Sequence, residues 1–373
     1  MKKGSTDAQS RKKAGQWRRG LKAATIGMDL GDKSSRYCVL DQDGQVVHEG
    51  SVGTSQKSLT QVFGALARCR VAVEVGTHSA WVSRLLKSLG HEVIVANARQ
   101  VKLISASSRK SDQLDAQMLA RLARVDPQLL RPIRHRSEKA QEHLMLIRVR
   151  AALVETRTRL VNTARGLAKS VGERLPLCDT DQMGVERMEG LPAQLQQALQ
   201  PLLEEVESLT EKIQASSVSI EQIARTEYPE TALLRQVSGV GTLIALTFVL
   251  TIEDPERFPK SRDVGCYVGL RPQRSESGES QPQLGITKEG DVYLRKLLVQ
   301  GAHYILGYRG PDTDLKRWGE GLASRGGKNA KKRAIVAVAR KLGILLHRLW
   351  VTGEVYEPLR NSQARARAGT VAA

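Results

Sequence analysis

Four carboxylates and two serines are the residues of this chain best suited to chemistry. Asp29 closes one apolar run, TIGMDL, and Glu74 ends another, RVAVEVG. A carboxylate in a strand of Val and Ala is costly unless its charge is used. In SSRKSDQLDAQMLARLA, Asp112 and Asp115 stand three apart at the start of a helical pattern and so share a face. Taken singly, these residues have plainer readings. Asp29 suits a turn, Asp112 a helix N-cap, and Asp115 the helix dipole. Taken together, in the order strand, strand, helix, they form a set of hard oxygen donors suited to Mg²⁺. A Mg²⁺ ion held there would bind phosphate oxygens of DNA.

The serines lie in GLRPQRSESGESQPQLGITKEGDVYLRKLLVQGA. Ser275 and Ser277 sit in a polar, glycine-containing loop, and a basic helix-like segment follows. The loop reads either as a nucleophile aimed at a phosphate or as a surface turn. Candidate phosphate contacts are Lys110, just before the Asp112–Asp115 pair, and Lys288, Arg295 and Lys296, just after the serines. A glycine-rich basic turn from Arg325 to Arg333 carries Lys328 and Arg333 into an amphipathic helix, whose N-terminus can hold a phosphate. The plainer reading of these charges is a solvated basic surface. Arg148, Arg150, Arg157, Arg159 and Arg165 either contact nucleic acid or pair with acids on the following long helix.

The bulk composition agrees with a polyanionic partner. The 373 residues carry a formal net charge of +19, which makes nucleic acid the first expectation. Aromatic residues are only 4% of the chain, so backbone contacts by Lys and Arg fit better than base stacking. The four cysteines, Cys38, Cys69, Cys178 and Cys266, are far apart and form no CxxC pair. That spacing argues against a zinc site or a disulfide scaffold and for a reducing cytoplasm. No apolar run approaches the length of a membrane span.

Residues 1–22 read as a basic, disordered arm. Residues 23–130 predict the order β-β-β-α-β-α-β followed by a helix, an α/β domain with a mixed sheet. Over 131–226 two long amphipathic patterns predict a helical hairpin or coiled coil, suited to assembly or binding. Residues 227–356 predict a mostly helical domain, in which Ser238-Gly239-Val240-Gly241 is a tight turn between helices. Residues 357–373 read as a disordered tail.

With these pieces in order, the chain resembles the DEDD-type insertion-sequence transposases, which join a RuvC-like N-terminal domain to a C-terminal serine domain. It is similar also to the Piv-type DNA invertases. The resemblance rests on IGMDLG, VAVEVGTHSAW, KSDQLDAQMLARL, LLRQVSGVG and the YVGLRPQRSESGE…LGITKEGDVYLRKLLVQGA block, spread over most of residues 24–350. It implies a ribonuclease-H-type sheet with Asp29, Glu74, Asp112 and Asp115 as the Mg²⁺-binding tetrad. It also implies Ser277 as the nucleophile of a covalent phosphoserine intermediate, with Ser275 as the alternative. The implied partners are donor and target double-stranded DNA, a guide non-coding (bridge) RNA, and further copies of the chain as a dimer or tetramer. The implied place of action is the bacterial cytoplasm, at the nucleoid. Two rival readings stand beside it: a metal-dependent, resolvase-like nuclease that uses water, and a non-catalytic nucleic-acid-binding protein.

Overall fold

The computed structural model describes residues 24–97, 112–275, 277, 280 and 284–363. Those up to His135 form one compact unit and those from Arg136 another.

In the first unit the chain runs β1 (Thr25–Asp29), β2 (Ser34–Leu40), β3 (Val46–Gly53), α1 (Gln56–Phe63), β4 (Arg70–Glu74), α2 (Ser79–Ser88), β5 (Glu92–Ala96) and α3 (Asp112–Val125). This is the order the sequence predicts. The strands form one sheet of order β3-β2-β1-β4-β5. β1, β2 and β3 are antiparallel neighbours, whereas β1, β4 and β5 run parallel. The β2–β3 turn is set locally. The Asp41 carboxylate accepts from the backbone N–H groups of Asp43 and Gln45, and Gly44 takes φ +80°.

Side-chain alternation divides the sheet into two faces. Ile26, Met28, Val71 and Val73 pack with Leu59 and Phe63 of α1 and with Val82 and Leu86 of α2. On the other face Ala72, Ile94 and Ala96 meet Leu119, Leu122 and Ala123 of α3. Gly27 decides how closely α3 lies on the sheet. A Cβ at Gly27 would stand 2.0 Å from the Ala116 carbonyl oxygen and 2.4 Å from the Ala120 nitrogen. Only a glycine admits so close an approach of helix backbone to strand.

The second unit begins with α4 (Glu138–Ser170), capped by the Ser137 hydroxyl, which accepts from the Ala140 N–H. α5 (Ala193–Glu227) returns alongside it. Their seam is apolar at both ends. Val161, Ala164 and Ala168 meet Leu199, Leu203 and Val206, while Ala140, Leu144 and Ile147 meet Ile220 and Ala224. The chain continues through α6 (Glu230–Leu234), α7 (Thr242–Ile252), α8 (Arg262–Tyr267), α9 (Val292–Leu306), α10 (Asp314–Ala323) and α11 (Ala330–Thr352). Every residue of α7 from Ile244 to Ile252 is buried, as an all-round apolar helix must be. Its Leu246 and Leu250 join the base of the hairpin, and its Phe248 and Ile252 join the core with α9 and α11. The hairpin expected over 131–226 therefore shares a core with the segment after it. Among the described residues no helix is long and apolar enough to cross a membrane.

Candidate active site

Sheet register brings the first two carboxylates together. Met28 pairs with Val73 in the parallel β1–β4 ladder, so Asp29 and Glu74, the next residue of each strand, sit at the same end of the sheet. Parallel neighbours lie about 4.8 Å apart. Alternation turns both toward the face that α3 covers, the face of Gly27 and Ala72. The close approach at Gly27 then delivers the start of α3, one turn before Ala116, to the same place. Asp115 is half-buried there and Asp112 is exposed.

The electrostatics record this gathering. The Asp29 carboxyl is pushed up to about 6, first by burial and then by the charges of Asp112, Glu74 and Asp115; the Leu30 N–H opposes the shift. Four acids that raise the proton affinity of one of their number form a site whose repulsion a divalent cation would relieve, and oxygen donors suit such an ion. Among the described residues, however, no three His, Cys, Asp or Glu side chains are disposed to hold one metal ion. The two observations concern different parts of the site. Strand register and the Gly27 contact fix the backbone positions, whereas the side-chain torsions decide whether the carboxylate oxygens converge; of the four, Asp112 alone is exposed. The donor set fits a hard divalent cation, and its side chains would have to rotate inward to ligate one.

His78, four residues after Glu74, is held by its neighbours. Its Nδ1 accepts from the Trp81 indole N–H at 3.1 Å, and its Nε2 stands 3.5 Å from the Asp32 carboxylate. The ring is thereby oriented with Nδ1 as acceptor. His78 occupies the N-cap position of α2 without making a side-chain capping bond.

The serines belong to the second unit. Backbone hydrogen bonds from Lys288 to Gly269, Thr287 to Arg271 and Gln273 to Gly285 pair the two arms of an irregular hairpin. Ser277 and Ser280 exchange hydrogen bonds in both directions farther along it, and Ser275 and Ser277 are both exposed. The hairpin base is a tight junction. A Cβ at Gly290 would stand 1.9 Å from the Tyr267 oxygen, and Gly290 has φ +79°.

Arg295 serves that junction. Its Nη1 donates to the Val268 carbonyl at 3.0 Å and to the Glu289 carbonyl at 2.9 Å. Expected as a phosphate contact, it is half-exposed and clamps the junction through Nη1. Lys288 and Lys296 are exposed, and Lys288 takes φ +58°. Lys328 and Arg333 are exposed near the start of α11, and Arg333 Nη2 lies 3.4 Å from the Gly326 carbonyl. Lys110 lies outside the described residues.

Asp291 is a residue that the sequence reading passed over. Its carboxylate caps α9 by accepting from the Leu294 N–H, and it is also 3.1 Å from Arg136 and 3.6 Å from Arg148. An Asp directly before a helical pattern, after Gly290, was the signal available. Of the five arginines of α4, Arg148 thus finds an acid, but not on α5. Arg150 and Arg157 bond hydroxyls of α5, and Arg165 bonds the Cys178 carbonyl.

Comparison with known proteins gives this geometry its family. A DEDD-type IS110 transposase model matches residues 26–172, the stretch that contains all four carboxylates. A second model, for transposases of the IS116/IS110/IS902 family, matches residues 231–314, the stretch that contains both serines. Together they span more than half of the chain. The chain belongs to the IS110-family DEDD transposases. The transposase for insertion sequence element IS1111A of Coxiella burnetii is 29% identical, over 91% of this chain and 93% of its own length. A probable family 20 transposase of Pseudomonas aeruginosa is 27% identical, over 91% of this chain and the whole of its own. The transposase for element IS1328 of Yersinia enterocolitica is 28% identical, over 89% and 98%. The protein is accordingly an enzyme of the transposase class.

Proposed function

We propose that this transposase cuts and rejoins DNA through a covalent link to Ser277, with Mg²⁺ held by Asp29, Glu74, Asp112 and Asp115. The raised proton affinity of Asp29, caused by burial and by the other three acids, is the observation that supports this most. Such a cluster costs stability, and a cation bound among the four carboxylates would offset that cost. When bound, the metal supplies charge stabilisation to the phosphate oxygens. Ser277 is exposed on a hairpin whose base is braced by Arg295, which suits a hydroxyl that must meet an external phosphate.

The reaction balances as a transesterification. Ser277 Oγ forms a bond to phosphorus, one P–O ester bond of the strand breaks, and the departing strand oxygen gains the proton that the serine loses. The phosphoserine ester keeps the bond energy, so a hydroxyl from another DNA end can reverse the step without a nucleotide cofactor. Donor and target duplexes are the substrates. A guide RNA would supply sequence choice through base pairing, leaving the basic protein to hold backbones. Several copies of the chain would assemble around the paired DNA ends.

The test is a trapping assay. Protein, guide RNA, cognate DNA and Mg²⁺ are combined and resolved on a denaturing gel. The expected result is a protein–DNA adduct that Ser277→Ala abolishes and Ser275→Ala preserves. Cleaved DNA without an adduct, unchanged in Ser277→Ala, would replace this mechanism with hydrolysis by water.

A further inference from the structure

Helices α4, α7 and α9 border a cleft of about 1120 Å³. Arg150, Arg157, Arg159 and Lys296 line it with Asn162 and Gln300, against a single carboxylate, Glu155. The cleft is therefore cationic, and it involves neither the acidic tetrad nor the serines.

Arg157 gives the cleft its meaning. Only 8% of this residue is exposed. Its Nη1 donates to the Thr210 hydroxyl at 3.1 Å, and its Nε has no hydrogen-bond partner among the described residues. Among the described residues no carboxylate pairs with it. A buried guanidinium without a counter-charge costs several kcal/mol, which one neutral hydroxyl does not offset. Arg150 repeats the arrangement two turns earlier, with its Nε donating to the Ser217 hydroxyl at 2.8 Å. Both hydroxyls are themselves fixed, since Thr210 donates to the Val206 carbonyl and Ser217 to the Ile213 carbonyl. α5 thus holds two arginines of α4 in place by hydroxyl contacts, leaving their charges unneutralised. The seven-residue interval spans about 10 Å of helix, close to the axial rise of three nucleotides in one strand. Across the cleft, Lys296 and Gln300 are four apart on α9 and share a face.

We propose that this cleft is a groove for the sugar–phosphate backbone of a nucleic-acid strand, with a phosphate as the counter-ion of Arg157. The inference rests on the chain acting on nucleic acid, but not on the identity of its nucleophile. Phosphodiesters of DNA and RNA share the chemistry that Arg150, Arg157, Arg159 and Lys296 recognise, so the probes must separate the two. With few aromatic side chains available, charge rather than stacking would hold the strand.

The full chain carrying Ser277→Ala is used in EDTA, so that binding is read without cleavage and the outcome is independent of the serine mechanism. Fluorescence anisotropy with labelled duplex DNA, single-stranded DNA and a stem–loop RNA gives affinity across a salt series. Arg159→Gln with Lys296→Gln, both at exposed positions, is expected to lower the slope of log affinity against log salt by about 1.8 for a duplex or about 1.4 for a single strand. Arg157→Met is expected to lower it by roughly half as much, with the melting temperature unchanged or raised, because the buried charge is gone. Lys212→Gln, on the exposed surface of α5, is the control and keeps the parent slope. A slope change confined to the DNA probes or to the RNA probe supports the groove and names its strand. Parent slopes for the double variant on all three probes overturn the proposal. So does an Arg157→Met protein that melts earlier but binds with the parent slope, since Arg157 is then only a strut.

Discussion

Asp29→Asn is expected to make the metal-free protein more stable at neutral pH while removing its activity. The magnitude follows from the acid cluster. An Asp held at about 6 in the folded chain and near 3.8 in the unfolded chain opposes folding, because the unfolded state gives up its proton first. For a fully shielded group the penalty would be about 3 kcal/mol above pH 6; the half-buried position and solvent screening reduce this to roughly 1–2 kcal/mol. Below about pH 4 both states are protonated and the penalty vanishes. It grows as pH rises from about 4 to 6 and is complete above that range. Asn keeps the shape of Asp and an acceptor for the Leu30 N–H, so the substitution isolates the charge. The assay is thermal unfolding in EDTA from about pH 4 to pH 8, following the transition of the first unit. At roughly 4–8 °C per kcal/mol for a domain of this size, the variant melts some 5–10 °C above wild type at neutral pH and level with it near pH 4. Mg²⁺ at a hundredfold excess over Kd should stabilise wild type by about 2.7 kcal/mol and so reverse the order, leaving wild type ahead by roughly 1 kcal/mol. A variant that melts with or below wild type at neutral pH, or whose advantage ignores pH, would refute the account of four mutually repelling carboxylates.

Other outcomes follow from the same contacts. Gly27→Ala places a Cβ against the backbone of α3; it should cost about 1–3 kcal/mol in thermal unfolding and, by lifting Asp112 and Asp115 from Asp29, weaken Mg²⁺ stabilisation as well. Asp291→Ala removes the cap of α9 and the acid facing Arg136 and Arg148, so the second unit should lose about 2–4 kcal/mol in denaturant unfolding, whereas Asp291→Asn, which keeps a capping oxygen, should lose less. Arg295→Gln frees the Val268 and Glu289 carbonyls at the hairpin base; amide exchange there should accelerate and adduct yield should fall, with the salt slope of DNA binding unchanged.

How far the sequence reveals the site depends on how local each cause is. The first unit is legible because its signals are periodic and short-range. TIGMD and RVAVE alternate between two packed faces, DQDG makes its own turn, and the spacing of Asp112 and Asp115 is helical by itself. Even the meeting of Asp29 with Glu74 follows once two parallel strands end in acids. Gly27 is different. Nothing in IGMDLG announces that Ala116 will press upon it, because the partner lies ninety residues away in the chain. The roles of the cations are equally hidden, since a basic residue reads alike whether it faces solvent, clamps two carbonyls or lies buried. Arg295, Lys296 and Arg157 all look like phosphate ligands in sequence. Only the contacts separate them: Arg295 braces the hairpin base, Lys296 stands on the rim of the cleft, and Arg157 lies beneath it, paired with no carboxylate among the described residues. The acids could be read because carboxylates in apolar strands are rare and costly. The bases, in a chain of net charge +19, are too common for type or spacing to single out the few that carry a task.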